Sequence, residues 1–187
     1  MAVKIYIDQG HNPINPNAGA EGNGLREQDL VFRIGRLTAE YLRAAGLDVR
    51  LSRPLPDTQL GTSVSTSLAA RVRDANSWGA DYFISLHANA SDITSASGSE
   101  AYVFSNASSA VPLAENILNQ LNINTGLQTR GVFPRPSLYV LRRTAMPATL
   151  IELGFITNPY DAMLMAESPQ LFAAGVANGV LAYLGLL

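Results

Sequence analysis

Residues 67–90 read SLAARVRDANSWGADYFISLHANA. Two periodicities meet inside this stretch. Leu68, Val72 and Ala75 recur at helical spacing, Ser67 offers the hydroxyl of an N-cap, and Gly79 is a stop. Past the stop, YFISLH (82–87) is a short run of aromatic and apolar residues, the pattern of a buried strand. Polar and small residues follow at once. A helix running into a buried strand predicts an α/β fold with a largely parallel sheet and helices on both faces.

The rest of the chain repeats the alternation. VKIYID (3–8) reads as a buried strand that ends in a Gly-, Asn- and Pro-rich loop. Leu30, Ile34, Leu37, Tyr41 and Ala45 predict a helix from Glu27 to Ala45, stopped by Gly46. DVRLSR (48–53) is a second strand, followed by a Pro-, Ser- and Thr-rich loop over 54–66 that is the candidate mobile segment. EAYVFS (100–105) is a further strand, and Leu113, Ile117 and Leu121 predict a helix over 110–121. LYVL (138–141) reads as a short strand or extended piece. ATLIEL (148–153) reads as a strand buried on both faces. Helices over 159–166 and 169–184 close the chain. With no internal repeat, low-complexity tract or linker, the expectation is one domain over residues 1–187.

Composition narrows the function classes. An apolar fraction of 47% with 15% charged residues describes a folded protein, so disorder is excluded. The net charge is −2 and no basic run occurs, which argues against nucleic-acid or anionic-membrane partners. The absence of cysteine removes disulfides, cysteine nucleophiles and thiolate metal sites. MAVKIYIDQG carries one lysine and too short an apolar stretch for a signal peptide, and GVLAYLGLL is too short to span a bilayer.

In open α/β sheets, ligands bind outside the carboxyl ends of the strands. Asp8, Gln9, Gly10 and His11 follow the first strand. His87 and Asn89 follow the third, and Glu152 ends ATLIEL. Both histidines of the chain are in this set. Alone, a histidine at a strand end is a satisfied hydrogen-bonding group, and Glu27 suits a helix N-terminus because of the exposed N–H groups there. Glu152 differs, because a carboxylate among Leu150, Ile151, Leu153 and Phe155 is costly unless paired, metal-bound or protonated. A salt bridge to Arg142 or Arg143 is the structural alternative. Two imidazoles and a carboxylate form a catalytic zinc set with a position left for water, and a further carboxylate serves as general base. His11, Glu27 and His87 are the candidate ligands and Glu152 the candidate base. There is no HExxH helix motif.

These residues sit in segments that resemble the zinc-dependent N-acetylmuramoyl-L-alanine amidases of the amidase-3 type. IDQGHN, NAGAEGNGLREQDL, LSRP, LAARVRDANSWGADYFISLHANA, GSEAYVF and RGVFPRPSLYVLRRTAMPATLIELGFITNPYDAMLM carry the resemblance in order along nearly the whole chain. The resemblance implies a mixed, mostly parallel six-stranded sheet and one Zn(2+) held by His11, Glu27 and His87, with Glu152 catalytic. It also implies hydrolysis of the amide between N-acetylmuramic acid and the L-alanine of the peptidoglycan stem peptide. The expected site of action is the bacterial cell wall, in autolysin, endolysin, sporulation or germination roles, with glycan and stem peptide as partners. An activating or wall-anchoring protein partner is a further expectation, since no wall-binding module is visible. Arg130, in TRGVF, and Asn89 are substrate-side candidates, and Arg71 is assigned a structural role. One departure stands out: Asn12-Pro13 replaces the Gly-Gly that commonly follows the first histidine, which predicts an altered groove beside an intact metal site.

The rival readings are a binding-only amidase-like module, a two-histidine, one-carboxylate iron oxygenase, and a phosphate-binding α/β domain. The oxygenase fits poorly with the α/β alternation. The phosphate binder lacks a P-loop or GxGxxG.

Overall fold

The computed structural model describes residues 2–187; Met1, part of the expected 1–187 domain, lies outside them. The chain order is β1 (Lys4–Gln9), β2 (Glu21–Gly22), β3 (Leu25–Arg26), α1 (Glu27–Ala44), β4 (Asp48–Leu51), α2 (Val64–Trp78) and β5 (Tyr82–Asn89). It continues with β6 (Ser99–Val103), α3 (Val111–Thr125), β7 (Thr129–Pro134), α4 (Tyr139–Arg143), β8 (Ala148–Phe155), α5 (Pro159–Glu167) and α6 (Pro169–Tyr183). Six strands form one sheet in the order β4-β1-β5-β8-β6-β7, and β2 and β3 form a separate hairpin. Every pairing in the large sheet is parallel except β6 with β8. The expected α/β class and mixed, mostly parallel six-stranded sheet are therefore what the chain forms.

Strand alternation divides the side chains between two layers. Ile5, Ile7, Ile84, Leu86, Ile151 and Leu153 point to one face and pack with α1, α3 and α6, where Ile34, Leu42, Leu113, Ile117, Phe172 and Val176 are buried. Tyr6, Phe83, Ala148 and Leu150 point to the other face and pack with Val72 and Ala75 of α2 and Val140 and Leu141 of α4. The second cluster is smaller. Close helix packing on the larger face relies on two glycines of α6: a Cβ on Gly179 would lie 2.4 Å from the Ile117 Cα, and one on Gly175 would lie 2.9 Å from the Leu121 Cα.

Two expectations are corrected. LYVL is not extended; its residues form the turn into α4, with Val140 and Leu141 buried. Four apolar residues show no period by which to separate one helical turn from a strand. Ser67 is not the N-cap of α2. The cap is Ser63, whose side chain accepts from the Thr66 N–H in a capping box, so the helix starts a turn earlier. Ser67 lies fully buried inside the helix and faces Asn12 and Asn17. Strand β7, not foreseen, covers Thr129–Pro134 and closes one edge of the sheet beside β6. Among the described residues no helix is long and apolar enough to cross a membrane.

Candidate functional site

The site forms above the carboxyl ends of β1, β5 and β8, on the face covered by α2 and α4. Register places His87 of β5 opposite Glu152 of β8, and Glu152 opposite Glu100 of β6. These three side chains make a row across the sheet. The backbone shifts register between His87 and Asn89, the end of regular pairing from which His87 projects.

His11 and Glu27 reach the row from outside the sheet. His11 follows β1 with φ 64, the left-handed region that non-glycine residues occupy at a cost. Arg71 holds that conformation. It is 1% exposed, pairs with Asp8 at 2.5 Å, and donates to the Gln9 carbonyl at 2.6 Å and to the His11 carbonyl. Asn12, also fully buried, donates to the carbonyls of Pro16 (2.8 Å) and Leu60 (2.9 Å), and accepts from the Leu60 N–H at 3.1 Å. The Asn12-Pro13 departure thus ties the His11 loop to the 54–66 segment. Glu27 opens α1. Its Oε2 accepts from the Ala20 N–H at 2.8 Å and its Oε1 from the Ala88 N–H at 3.0 Å.

The sequence candidates converge. Glu27 Oε1 lies 3.1 Å from His11 Nε2 and 3.0 Å from His87 Nδ1. One donor atom from each of His11, Glu27 and His87 falls within 4.8 Å of the others. Tetrahedral zinc with bonds of about 2.0–2.1 Å sets its donors roughly 3.3 Å apart, so small adjustments suffice to close these residues on a metal. Two glycines make the convergence possible. A Cβ on Gly10 would lie 2.5 Å from His87 Cε1, and one on Gly19 would lie 2.7 Å from Glu27 Oε2 and 2.9 Å from His11 Cδ2. The space where those side chains would begin is filled by the candidate ligands.

The two carboxylates are in opposite electrostatic states. Burial pushes Glu27 upward, but its hydrogen bonds to His11 and His87 and their charge outweigh burial and hold it below the usual carboxylate range. Glu152 has no such partners. Its Oε2 is shielded from solvent with no hydrogen-bond partner. Burial, then the charges of Glu27 and Glu100, push its carboxyl well above the usual range. Arg142 and Arg143 are exposed and form no ion pair with it among the described residues.

Asn89 and Arg130 meet at a carboxylate that the sequence reading left without a role. Glu100 accepts from Asn89 Nδ2 at 2.8 Å and from the Tyr102 hydroxyl, both through Oε1, and from Arg130 Nε at 2.8 Å through Oε2. The Arg130 guanidinium also lies 5.0 Å over the Phe155 ring. Arg130 is therefore charge-balanced by Glu100 beside Glu152, with part of its guanidinium exposed. The sequence signal was strand alternation, which puts Glu100 and Tyr102 on one face, but nothing in it paired that face with Glu152.

Comparison with known proteins shows the family of the chain. Residues 5–182 match the amidase-3 family, described as N-acetylmuramoyl-L-alanine amidase. The chain is 35% identical over 183 residues to the N-acetylmuramoyl-L-alanine amidase LytC of Bacillus subtilis, an alignment covering 96% of this chain and 35% of LytC. It is 36% identical to CwlM of Bacillus licheniformis, covering 95% of this chain and 67% of that protein. The chain thus spans about a third to two thirds of the length of these relatives. Among solved structures, the amidase AmiC2 of Nostoc punctiforme superposes with a TM-score of 0.83 at 31% identity, covering 98% and 97% of the two chains. The catalytic domain of CwlV from Bacillus (Paenibacillus) polymyxa gives 0.85 at 29%, covering 99% of each. With a match across nearly its whole length, the chain belongs to the amidase-3 family of N-acetylmuramoyl-L-alanine amidases.

Proposed function

We propose that this protein is a zinc-dependent hydrolase that cuts the amide between the lactyl group of N-acetylmuramic acid and the L-alanine of the peptidoglycan stem peptide. The observation that carries the reading is the approach of His11, Glu27 and His87 to within 4.8 Å, with Glu152 directly opposite His87. The donor set suits zinc: two imidazole nitrogens and one carboxylate, with no thiolate. His11, Glu27 and His87 would hold the ion. When bound, zinc supplies Lewis acidity that acidifies water and polarises a carbonyl. In the metal-free protein Glu27, kept anionic, hydrogen-bonds both imidazoles and so holds the three groups close together.

Glu152 does the proton work. Its apolar surroundings and the neighbouring carboxylates raise its proton affinity, so it takes a proton from the attacking water and delivers it to the departing amine of L-alanine. Arg130 offers its exposed edge, and Asn89 its position past His87, to the stem peptide. The function unit is the single domain over 1–187, acting at the bacterial cell wall on glycan-linked stem peptides. A protein partner that anchors or activates it there remains part of the reading.

The test is a digest of purified peptidoglycan by zinc-loaded protein. The expected products carry new L-alanine amino termini. Glu152→Gln is expected to keep one zinc per chain and to lower turnover by about 10²–10⁴-fold, the usual worth of a positioned acid–base group. Full activity of Glu152→Gln sinks the mechanism. Zinc and peptidoglycan binding without new termini favours the binding-only alternative.

A further inference from the structure

A small cavity of about 110 Å³ adjoins the two histidines on the α2/α4 side of the sheet. His11 and His87 form one wall. Leu150, two residues before Glu152 and on the same strand face, forms part of another with Leu68, Leu138 and Val140, and Asn17 and Tyr139 also reach the lining. Asp8 and Arg71 also line it, but they satisfy one another at 2.5 Å, and Ser85 Oγ donates to the second Asp8 oxygen at 2.7 Å. The slot therefore offers mainly carbon surface, and its buried polar atoms without a hydrogen-bond partner are Arg71 Nε and His11 Nδ1. Leu68 and Leu138 are half-buried, whereas Leu150 and Val140 are 5% and 4% exposed, so the slot has an accessible rim and a sheltered interior.

Size limits what enters. An apolar cavity of about 150 Å³ holds a benzene ring. At about 110 Å³ this one suits a methyl or a small branched aliphatic group better than a phenyl ring. Position limits it further, because whatever fills the slot lies against the two imidazoles. On the function proposed above, on which this inference rests, the scissile amide is flanked by two methyl-bearing carbons: one in the lactyl group and one in L-alanine. We propose that the slot seats a methyl group on a carbon next to the scissile amide, so that Leu68, Leu138, Val140 and Leu150 set the preference for a small aliphatic substituent there.

The two sources of that methyl are separable with synthetic muramoyl-peptides. One series replaces the alanyl methyl by hydrogen, isopropyl or benzyl; a second makes the same replacements on the lactyl carbon. Wild type, Leu68→Ala and Val140→Ala are compared by kcat/KM, each variant first checked for a cooperative thermal transition and one bound zinc. For wild type, one series is expected to show a loss of about 10–200-fold from methyl to benzyl, the range that apolar pockets deliver. In that series Leu68→Ala or Val140→Ala is expected to improve the benzyl-to-methyl ratio at least tenfold. The series that responds names the source. A benzyl-to-methyl ratio near one for wild type in both series, or a ratio that neither enlarged variant moves, overturns the slot. If wild type fails on the alanyl–lactyl parent itself, the amidase reading fails first, which is a different result.

Discussion

The two faces of the sheet share the same strands and put them to different uses. Under α1, α3 and α6 the strands present Ile7, Leu86 and Ile151, each with no exposure, within a continuous apolar layer. One residue further on, the opposite face presents Asp8, His87 and Glu152 under a much thinner cover of α2 and α4. Each of these three side chains is thus adjacent in sequence to a fully buried anchor pointing the other way. The thick face fixes the backbone, and the thin face uses that fixed backbone to hold groups that are unfavourable on their own. Stability and candidate chemistry are divided between the faces with a spacing of one residue.

Truncation on the thick face is the hardest test of this division. Phe172→Ala, in α6 far from the histidines, is expected to cost about 3–5 kcal/mol in urea unfolding. Zinc affinity measured by chelator competition on the folded fraction should stay unchanged; a parallel fall in affinity would show that the faces are not separable. Gly10→Ala probes the thin face. The new Cβ meets the His87 ring and the Leu86 carbonyl, and the latter cannot yield. Zinc affinity is expected to fall by about 10–100-fold, the scale seen when a ligand's support is disturbed. The melting temperature of the metal-free protein should change less than for Phe172→Ala.

Smaller effects come from titration on the thin face of the metal-free protein. Glu152 has its folded-state pKa raised, so its contribution to stability is present below the unfolded value near 4.3 and is lost as pH rises through the folded one. Glu152→Gln removes that loss and is expected to stabilise by about 0.5–2 kcal/mol at neutral pH. No gain in chemical denaturation at pH 7 would contradict the burial argument. Asp8 has the opposite sign. Burial works against its ionised form, but Arg71 and the Ser85 hydroxyl outweigh it and depress the folded pKa. Its contribution is present above the unfolded value near 3.9 and fades as pH falls through the folded one. Asp8→Asn is expected to flatten that acid limb in pH-dependent unfolding, even though the substitution leaves Arg71 poorly paired and lowers stability at every pH.

Most of this architecture was legible from patterning. Strands that became β1, β4, β5, β6 and β8 announced themselves as apolar or β-branched runs, and α1, α3, α5 and α6 were read to within a few residues at each end. What escaped reading has common physical causes. Strand β7, TRGVFP, mixes polar, glycine and proline residues because it is an edge strand with exposed residues, so no burial pattern marks it. The turn of α4 is too short to show a period. The start of α2 went unread because Ser63 and Thr66 cap each other inside a Ser- and Thr-rich stretch where every hydroxyl is a plausible cap. At the site, the residue types of His11, Glu27, His87 and Glu152 pointed to a metal and a base. Their packing did not: the roles of Gly10 and Gly19 as space for the ligands, and of Glu100 as the meeting point of Asn89 and Arg130, depend on distances that no linear spacing encodes.

The order of the strands in the sheet has a consequence for the order of events during folding. Strand β8 lies between β5 and β6, yet it is the last of the six strands in sequence. Before it inserts, the sheet has an open slot at its centre, and Glu152 is absent from the place opposite His87. Pairings between strands so distant in sequence close late, because long loops must be closed before the contacts form. A chain still being made, or one cut short of β8, therefore has His11, Glu27 and His87 but lacks Glu152, the proposed base. Insertion of β8 is the event that brings the proposed base to the candidate ligands.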